Sequence, residues 1–283
     1  MKKHFEYLNK DKAKFWMYLF LILYAAFTIF ILLWILMSSF KTNQEFFKNI
    51  WALPKTLNFN NWDAAWNLTN MKRFFLNSIL IVGSAVIFLN ILCAPAAYTI
   101  GRFPFKISKY INFLFLAGLG IPIPIILIPL YRIFITLHLI DNIFGLMLVY
   151  ITVSIPFTIF LLVGFMRSLP KELEDAATID GCSVFGAFWK VMFPLSSPGI
   201  VTVSVFNFIH LWNEYLIAFT FINRVQNRPI SMGLYALSNA MVYTNDWVGM
   251  FAGVMIVTIP TFILFVLLSE KIMAAATFGA VKG

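Results

Sequence analysis

Six stretches of this chain are apolar over lengths that match a lipid bilayer, and this limits its fold more than any other feature. The hydrocarbon core is about 30 Å thick and an α-helix rises about 1.5 Å per residue, so a crossing takes about 20 mostly apolar residues. Phe15–Met37, Phe74–Ile100, Ile111–Leu137, Ile143–Met166, Gly199–Ile222 and Trp247–Met273 all reach that length. Composition agrees: 61% of the 283 residues are hydrophobic and 12% charged, against about 45–50% and about 25% in soluble domains. The expected fold is all-α and integral to the membrane, with six transmembrane helices in contact with lipid.

Charge sets the expected orientation. Lys2, Lys3, Lys10, Lys12 and Lys14 precede the first stretch. That stretch is too long for a signal-peptide core and no small-x-small cleavage site follows it, so it reads as a retained span. With the amino terminus inside, six crossings place the carboxyl terminus inside too. Arg102, Lys106, Lys109, Arg167, Lys171, Lys190, Lys271 and Lys282 then join the cytoplasmic side, as the bias of Lys and Arg toward that side requires. The outer segment 38–73 holds five basic residues of its own, with Trp51, Trp62 and Trp66 in the polar–aromatic mix of a membrane interface. A net charge of +9 therefore needs no nucleic-acid partner.

Within the spans, Pro122, Pro124 and Pro129 crowd the third. Proline lacks a backbone donor and clashes with the preceding turn, so this helix must kink or break. The break either serves packing alone or lines a translocation path, since freed carbonyls are tolerated where they face protein or a watery cavity. Apart from Glu270 and Lys271 at the end of the sixth stretch, the charged groups and histidines inside or beside the spans are Arg132, His138, His210 and Glu214. Glu214 follows Trp212 and Asn213, and Asn213 and Glu214 either bond between helices or cap a cavity. One acid makes a poor proton relay. Cys93 and Cys182 read as small packing residues. The sequence has no phosphate-cradling G-x-x-x-x-G-K-[ST], no H-E-x-x-H, no paired-cysteine motif and no G-x-S-x-G, so catalytic and metal sites are not expected.

The densest cluster of acids lies between the fourth and fifth stretches, in Glu174-Asp-Ala-Ala-Thr-Ile-Asp-Gly181. Ser168 reads as an N-cap and Pro170 as an early-turn residue, with Glu172, Glu174 and Asp175 favouring the positive end of a short helix. Gly181 supplies the left-handed residue that ends it. Ser183 caps a second helix, amphipathic through Val184, Phe185, Phe188, Trp189 and Met192 and closed by Pro194. Such a helix–turn–helix, with a small Ala176-Ala177 face and no nucleophile or metal ligand, suits protein docking better than catalysis.

These residues resemble the EAA loop of permease subunits in binding-protein-dependent ABC importers, whose pattern is E-A-A-x3-G-x9-I-x-L-P. Here it runs Asp175-Ala176-Ala177, Gly181 and Val191-Met192-Phe193-Pro194 at the same spacing. Asp replaces Glu at 175, Val replaces Ile at 191 and Phe replaces Leu at 193. Glu174 and Asp175 thus remain alternative sources of the usual acid. Ser39-Phe40-Lys41, Asn77-Ser78, Ala96-Ala97-Tyr98 with Arg102, Trp212-Asn213-Glu214, Ile259-Pro260 and the terminal Gly279-Ala280-Val281-Lys282-Gly283 extend the resemblance to the carbohydrate branch, and there to the maltose-type second permease.

The resemblance implies three parts: 1–70, with the first span and an outer segment; 71–273, a type-1 transmembrane domain with its EAA loop near 168–194; and a cytoplasmic tail, 274–283. It implies a second permease, two copies of a cytoplasmic ATPase that bind the ATP and Mg, an extracellular solute-binding protein and a carbohydrate cargo, in a bacterial or archaeal cytoplasmic membrane. This chain would be no enzyme and would hold no cofactor. Glu174, Asp175, Ala176, Ala177, Asp180, Gly181 and Pro194 would meet the ATPase, and so would the five tail residues. The loop at about 223–246 would reach the binding protein. Pro122, Pro124, Trp212, Asn213 and Glu214 are the candidates for the path. Two rival readings stand beside this one: an ion-coupled carrier working through Glu214, and an ABC permease for amino acids, polyamines or phosphate. Few charges line the spans, whereas Trp212, Asn213 and Tyr215 suit sugar stacking and hydroxyl bonding.

Overall fold

The computed structural model describes residues 2–68, 70–103 and 105–280. All regular elements among them are helical. In order they are α1 (Lys2–Ser39), α2 (Asn43–Lys48), α3 (Asn60–Asp63), α4 (Met71–Arg102), α5 (Ser108–Leu119), α6 (Ile123–Thr136), α7 (Ile143–Ser168), α8 (Glu172–Ile179), α9 (Val184–Ala187), α10 (Phe193–Leu195), α11 (Ser197–Trp212), α12 (Leu216–Phe221), α13 (Ile230–Thr244) and α14 (Trp247–Ala280). Lys14–Ser39, α4, α7 and Trp247–Ser269 are each long and apolar enough to cross a membrane. Two bent pairs, α5 with α6 at 103° and Val184–Leu195 with α11 at 70°, raise the number of such spans to 6 if each pair is one.

The chain divides into two compact units, and residues up to 68 with Leu237–Ile256 form the first. The large side chains of α1 from Phe15 to Phe30 are exposed, at a density that suits lipid rather than water. The end of α1 is tied down. Asn61 Nδ2 donates to the carbonyls of Ser39 and Lys41 at 2.7 and 2.8 Å, and Trp62 Nε1 donates to Ser39 Oγ at 3.0 Å. Lys41 is buried and donates from Nζ to the Ile50 carbonyl at 2.8 Å. Burial lowers its pKa, against the opposing pull of Glu45. Thr42 and Glu45 close a reciprocal capping box on α2, and Phe46 packs on Trp34 and Phe251 with ring centroids 6.2 and 5.3 Å apart. Trp62 thus serves the fold, while Trp51 is exposed.

Asn70–Ala236 and the helix from Val257 onward form the second unit. Its centre is the packing of α4 on α7, where Ala85, Leu89, Cys93 and Ala97 bury with Leu146, Val149, Tyr150 and Leu162. Small residues on one helix let the other approach closely. Asn90 Nδ2 donates to Ser204 Oγ at 2.8 Å and ties α4 to α11. Cys93 and Cys182 are both free thiols.

The third stretch is broken, as its prolines require. Pro122 is the extended N-cap of α6, and Pro124 sits in the first turn, where its missing donor costs nothing. The fifth stretch departs from the expected single helix over Gly199–Ile222. It stops at Trp212 and restarts as α12. The cause is Glu214, whose carboxylate accepts the amides of Ile217 and Ala218 at 2.7 and 3.1 Å and so caps a new helix start. The sixth helix continues past Met273 to Ala280, so Gly279 and Ala280 are helical. Val281, Lys282 and Gly283 lie outside the described residues.

Candidate functional site

Two places in the second unit bear on function: the segment that follows α7, and a cavity among its broken helices. In the segment, α8 carries Glu172, Glu174 and Asp175 in its first turn, where carboxylates meet the positive helix end. Ser168 is not the N-cap. α7 runs two residues beyond the apolar stretch, and the Ser168 hydroxyl donates back to the Phe165 carbonyl at 2.7 Å, leaving Lys171 to start α8 without a side-chain cap. Gly181 turns the chain at φ 80°, and Ser183 caps α9 by accepting the Gly186 amide at 3.1 Å. Pro194 does not close the second helix. It lies in the first turn of α10, so the helical run passes through it and bends at Ser196.

The acids divide by environment. Glu174 forms a two-pronged pair with Arg102 at the end of α4, Nε to Oε1 at 2.9 Å and Nη2 to Oε2 at 3.0 Å. These side chains are 9% and 15% exposed. The guanidinium also donates to the carbonyls of Leu169 at 2.8 Å and Pro170 at 3.3 Å. Asp175 and Asp180 are exposed, and neither side chain has a hydrogen bond or ion pair among the described residues. The two alanines also differ: Ala177 is buried and its carbonyl accepts the Cys182 amide at 2.9 Å, whereas Ala176 faces out. Ile179, Val184 and Phe185 add an exposed apolar edge.

Space around Gly181 is open, so its backbone carries the constraint. A β-branched residue held at positive φ costs about 1–2 kcal/mol. Gly181→Val is expected to loosen this turn, read as faster limited proteolysis near residue 181, and Gly181→Asn, which tolerates this conformation, to leave the cleavage pattern close to that of the unaltered chain.

The cavity, about 550 Å³, opens between α5–α6, α7 and α11. That volume falls in the range of small-molecule sites, about 300–1,000 Å³. Phe157 and Phe206 line it edge to face, 6.3 Å between centroids, with Ser154, Asn207 and His210 as its polar groups. Asn207 Nδ2 donates to Thr158 Oγ1 at 2.9 Å. Ser154 Oγ is buried without a hydrogen-bond partner among the described residues, which buried hydroxyls seldom are.

Pro122, Pro124, Trp212, Asn213 and Glu214, the residues expected along a path, do not line this cavity. Ile121 and Ile123 line the cavity, but Pro122 and Pro124 do not. Trp212 is buried, donates from Nε1 to the Val257 carbonyl at 3.0 Å and stacks on Phe208. Asn213 is exposed and donates to the Ile209 carbonyl. Glu214 caps α12 and accepts the Tyr150 hydroxyl at 3.0 Å. Ser154 and Asn207 were not among the expected site residues, although a polar residue in mid-span is itself a signal. The segment after Ile222 is also fixed: Asp141 accepts the amides of Asn223 and Arg224, and Asn77 donates to the carbonyls of Gln226 and Arg228. Most of 223–246 is the helix α13. Among the described residues no group of His, Cys, Asp and Glu is placed to hold a metal ion.

Comparison with known proteins follows this architecture. A family model described as "Binding-protein-dependent transport system inner membrane component" matches residues 93–275. The diacetylchitobiose uptake system permease protein NgcG of Streptomyces coelicolor is 34% identical over 262 residues, 93% of this chain and 87% of that protein. The probable starch degradation products transport system permease protein AmyC of Thermoanaerobacterium thermosulfurigenes is 32% identical, over 88% of this chain and 89% of its own. A crystal structure of a bacterial ABC transporter that imports the acidic polysaccharide alginate has a chain similar in fold, with a TM-score of 0.76 at 21% identity, over 89% of this chain and 93% of that one. The chain belongs to the family of inner-membrane components of binding-protein-dependent transport systems.

Proposed function

We propose that this chain is a permease subunit of an ATP-driven ABC importer that moves a carbohydrate, an oligosaccharide in particular, across the cytoplasmic membrane. The observation that carries the reading is the segment Glu172–Leu195. It keeps the spacing Asp175-Ala-Ala, Gly181, Pro194 and presents an unpaired Asp175 outward, with Ala176, Ile179 and Phe185, beside a membrane-spanning core. In this reading both termini and the segment are cytoplasmic. The segment docks on a partner ATPase that binds the ATP and Mg, a second permease completes the pore, and an extracellular binding protein delivers the cargo. The last residues of the chain reach the ATPase as well. The named cargoes of NgcG and AmyC support the sugar class.

The cavity suits that cargo. The rings of Phe157 and Phe206 offer faces for the apolar side of a pyranose, and Ser154, Asn207 and His210 offer partners for hydroxyls. Phe206 and His210 are exposed, so substitution there spares the core. Phe206→Ala with His210→Leu is expected to lower sugar transport about tenfold in the assembled transporter while the ATPase still co-purifies. Wild-type transport by that variant would rule the cavity out of the path. The reading as a whole is tested by purifying the chain from its native membrane: a second permease and an ATPase are expected with it, and isolation without either would overturn it.

A further inference from the structure

We infer that Arg102 and Glu174 form the internal strut that transmits movement of the docking helix to the spans, which leaves Asp175 as the carboxylate that meets the ATPase. The inference rests on the importer reading above and deepens it. Glu174 is oriented inward, with both carboxylate oxygens on the Arg102 guanidinium. Such two-pronged, charge-assisted pairs fix angle as well as distance. Tyr98, one turn before Arg102 on α4, packs its ring on Phe188 at 5.1 Å. The remaining guanidinium donors reach Leu169 and Pro170, at the end of α7.

One arginine therefore binds three elements: the last residue of α4, the end of α7 and the first turn of α8. Since α4 and α7 share the core of the unit, a tilt imposed on α8 by a partner would pull both spans together. Without the pair, α8 would keep its connection through Leu169–Lys171 and the packing of Leu173 on the core, but would lose its charged tie to α4 and could tilt while the spans stayed still. Asp175 has no such tie and is exposed, which fits it for a basic group on another protein. Arg102 and Glu174 are positioning residues, and neither is expected to touch sugar or nucleotide.

The test uses the assembled transporter with its ATPase and binding protein, reconstituted in vesicles, and reads two quantities: ATPase retained and sugar moved per ATP hydrolysed. Glu174→Gln and Arg102→Gln are expected to retain the ATPase at wild-type level while sugar per ATP falls about tenfold. Combining them should cause no further loss. Arg102→Lys keeps the charge but not the fork, and should fall between. Asp175→Asn is expected to shed the ATPase with sugar per ATP unchanged in the complexes that remain. A purely structural pair would instead lower the amount of complex and leave that ratio alone, and this outcome overturns the proposal. So does loss of the ATPase from Glu174→Gln but not from Asp175→Asn. An unaltered chain that never retains an ATPase overturns the importer reading instead.

Discussion

Ala177→Trp is expected to abolish uptake, leaving less than about a twentieth of the wild-type rate, while the chain still inserts in the membrane. Ala177 is 4% exposed within the segment Glu172–Leu195 proposed to dock, and an indole has no room there. Forcing extra methylenes into a filled core costs about 1–3 kcal/mol, and an indole in place of a methyl group demands far more space than that. Ala176 tests the other side of the helix, because it faces outward. Ala176→Trp should also shed the ATPase, but with the segment intact. Limited proteolysis separates the two: faster cleavage near Gly181 for Ala177→Trp and an unchanged pattern for Ala176→Trp. Wild-type uptake and ATPase retention by Ala177→Trp would refute the docking role of this segment.

Glu214→Ala is expected to remove most of the folded protein, whereas Glu214→Gln should transport close to normally. The carboxylate accepts two amides at the start of α12 and the buried Tyr150 hydroxyl. Hydrogen bonds to charged groups contribute about 1.5–3 kcal/mol each, and stranding a buried donor costs about 1–3 kcal/mol more. Glutamine keeps an acceptor oxygen for part of this set. An ion-coupled carrier predicts the opposite for Glu214→Gln, since neutralising its coupling group would stop transport. Detergent-extracted yield and initial uptake rate, measured on both variants, decide between them.

These effects show what the chain's linear order discloses and what it conceals. The apolar stretches are visible because about 20 residues must cross the bilayer whatever surrounds them, and the break at Pro122 is visible because proline acts on its own turn. Gly181 is legible for the same local reason. Glu214 was not: an acid among apolar residues could border a cavity or bond between helices, and its partner Tyr150 comes from α7. The different surroundings of Glu174 and Asp175 were equally hidden, since Arg102 lies 72 residues away. Ser168 misled because a hydroxyl before a proline looks like a cap, yet it can bond back to its own helix just as well. The cavity depends on how α5, α7 and α11 meet, which no single stretch encodes. Trp212 suits sugar stacking by residue type, but its burial against Phe208 depends on the fold.

The most direct measurement is uptake into sealed vesicles holding this chain with its second permease and ATPase, with binding protein and a labelled oligosaccharide it retains. Accumulation should require ATP, stop when Asp175→Asn sheds the ATPase, and persist when an ionophore collapses every ion gradient. Uptake that ignores ATP and fails with the ionophore would contradict the account.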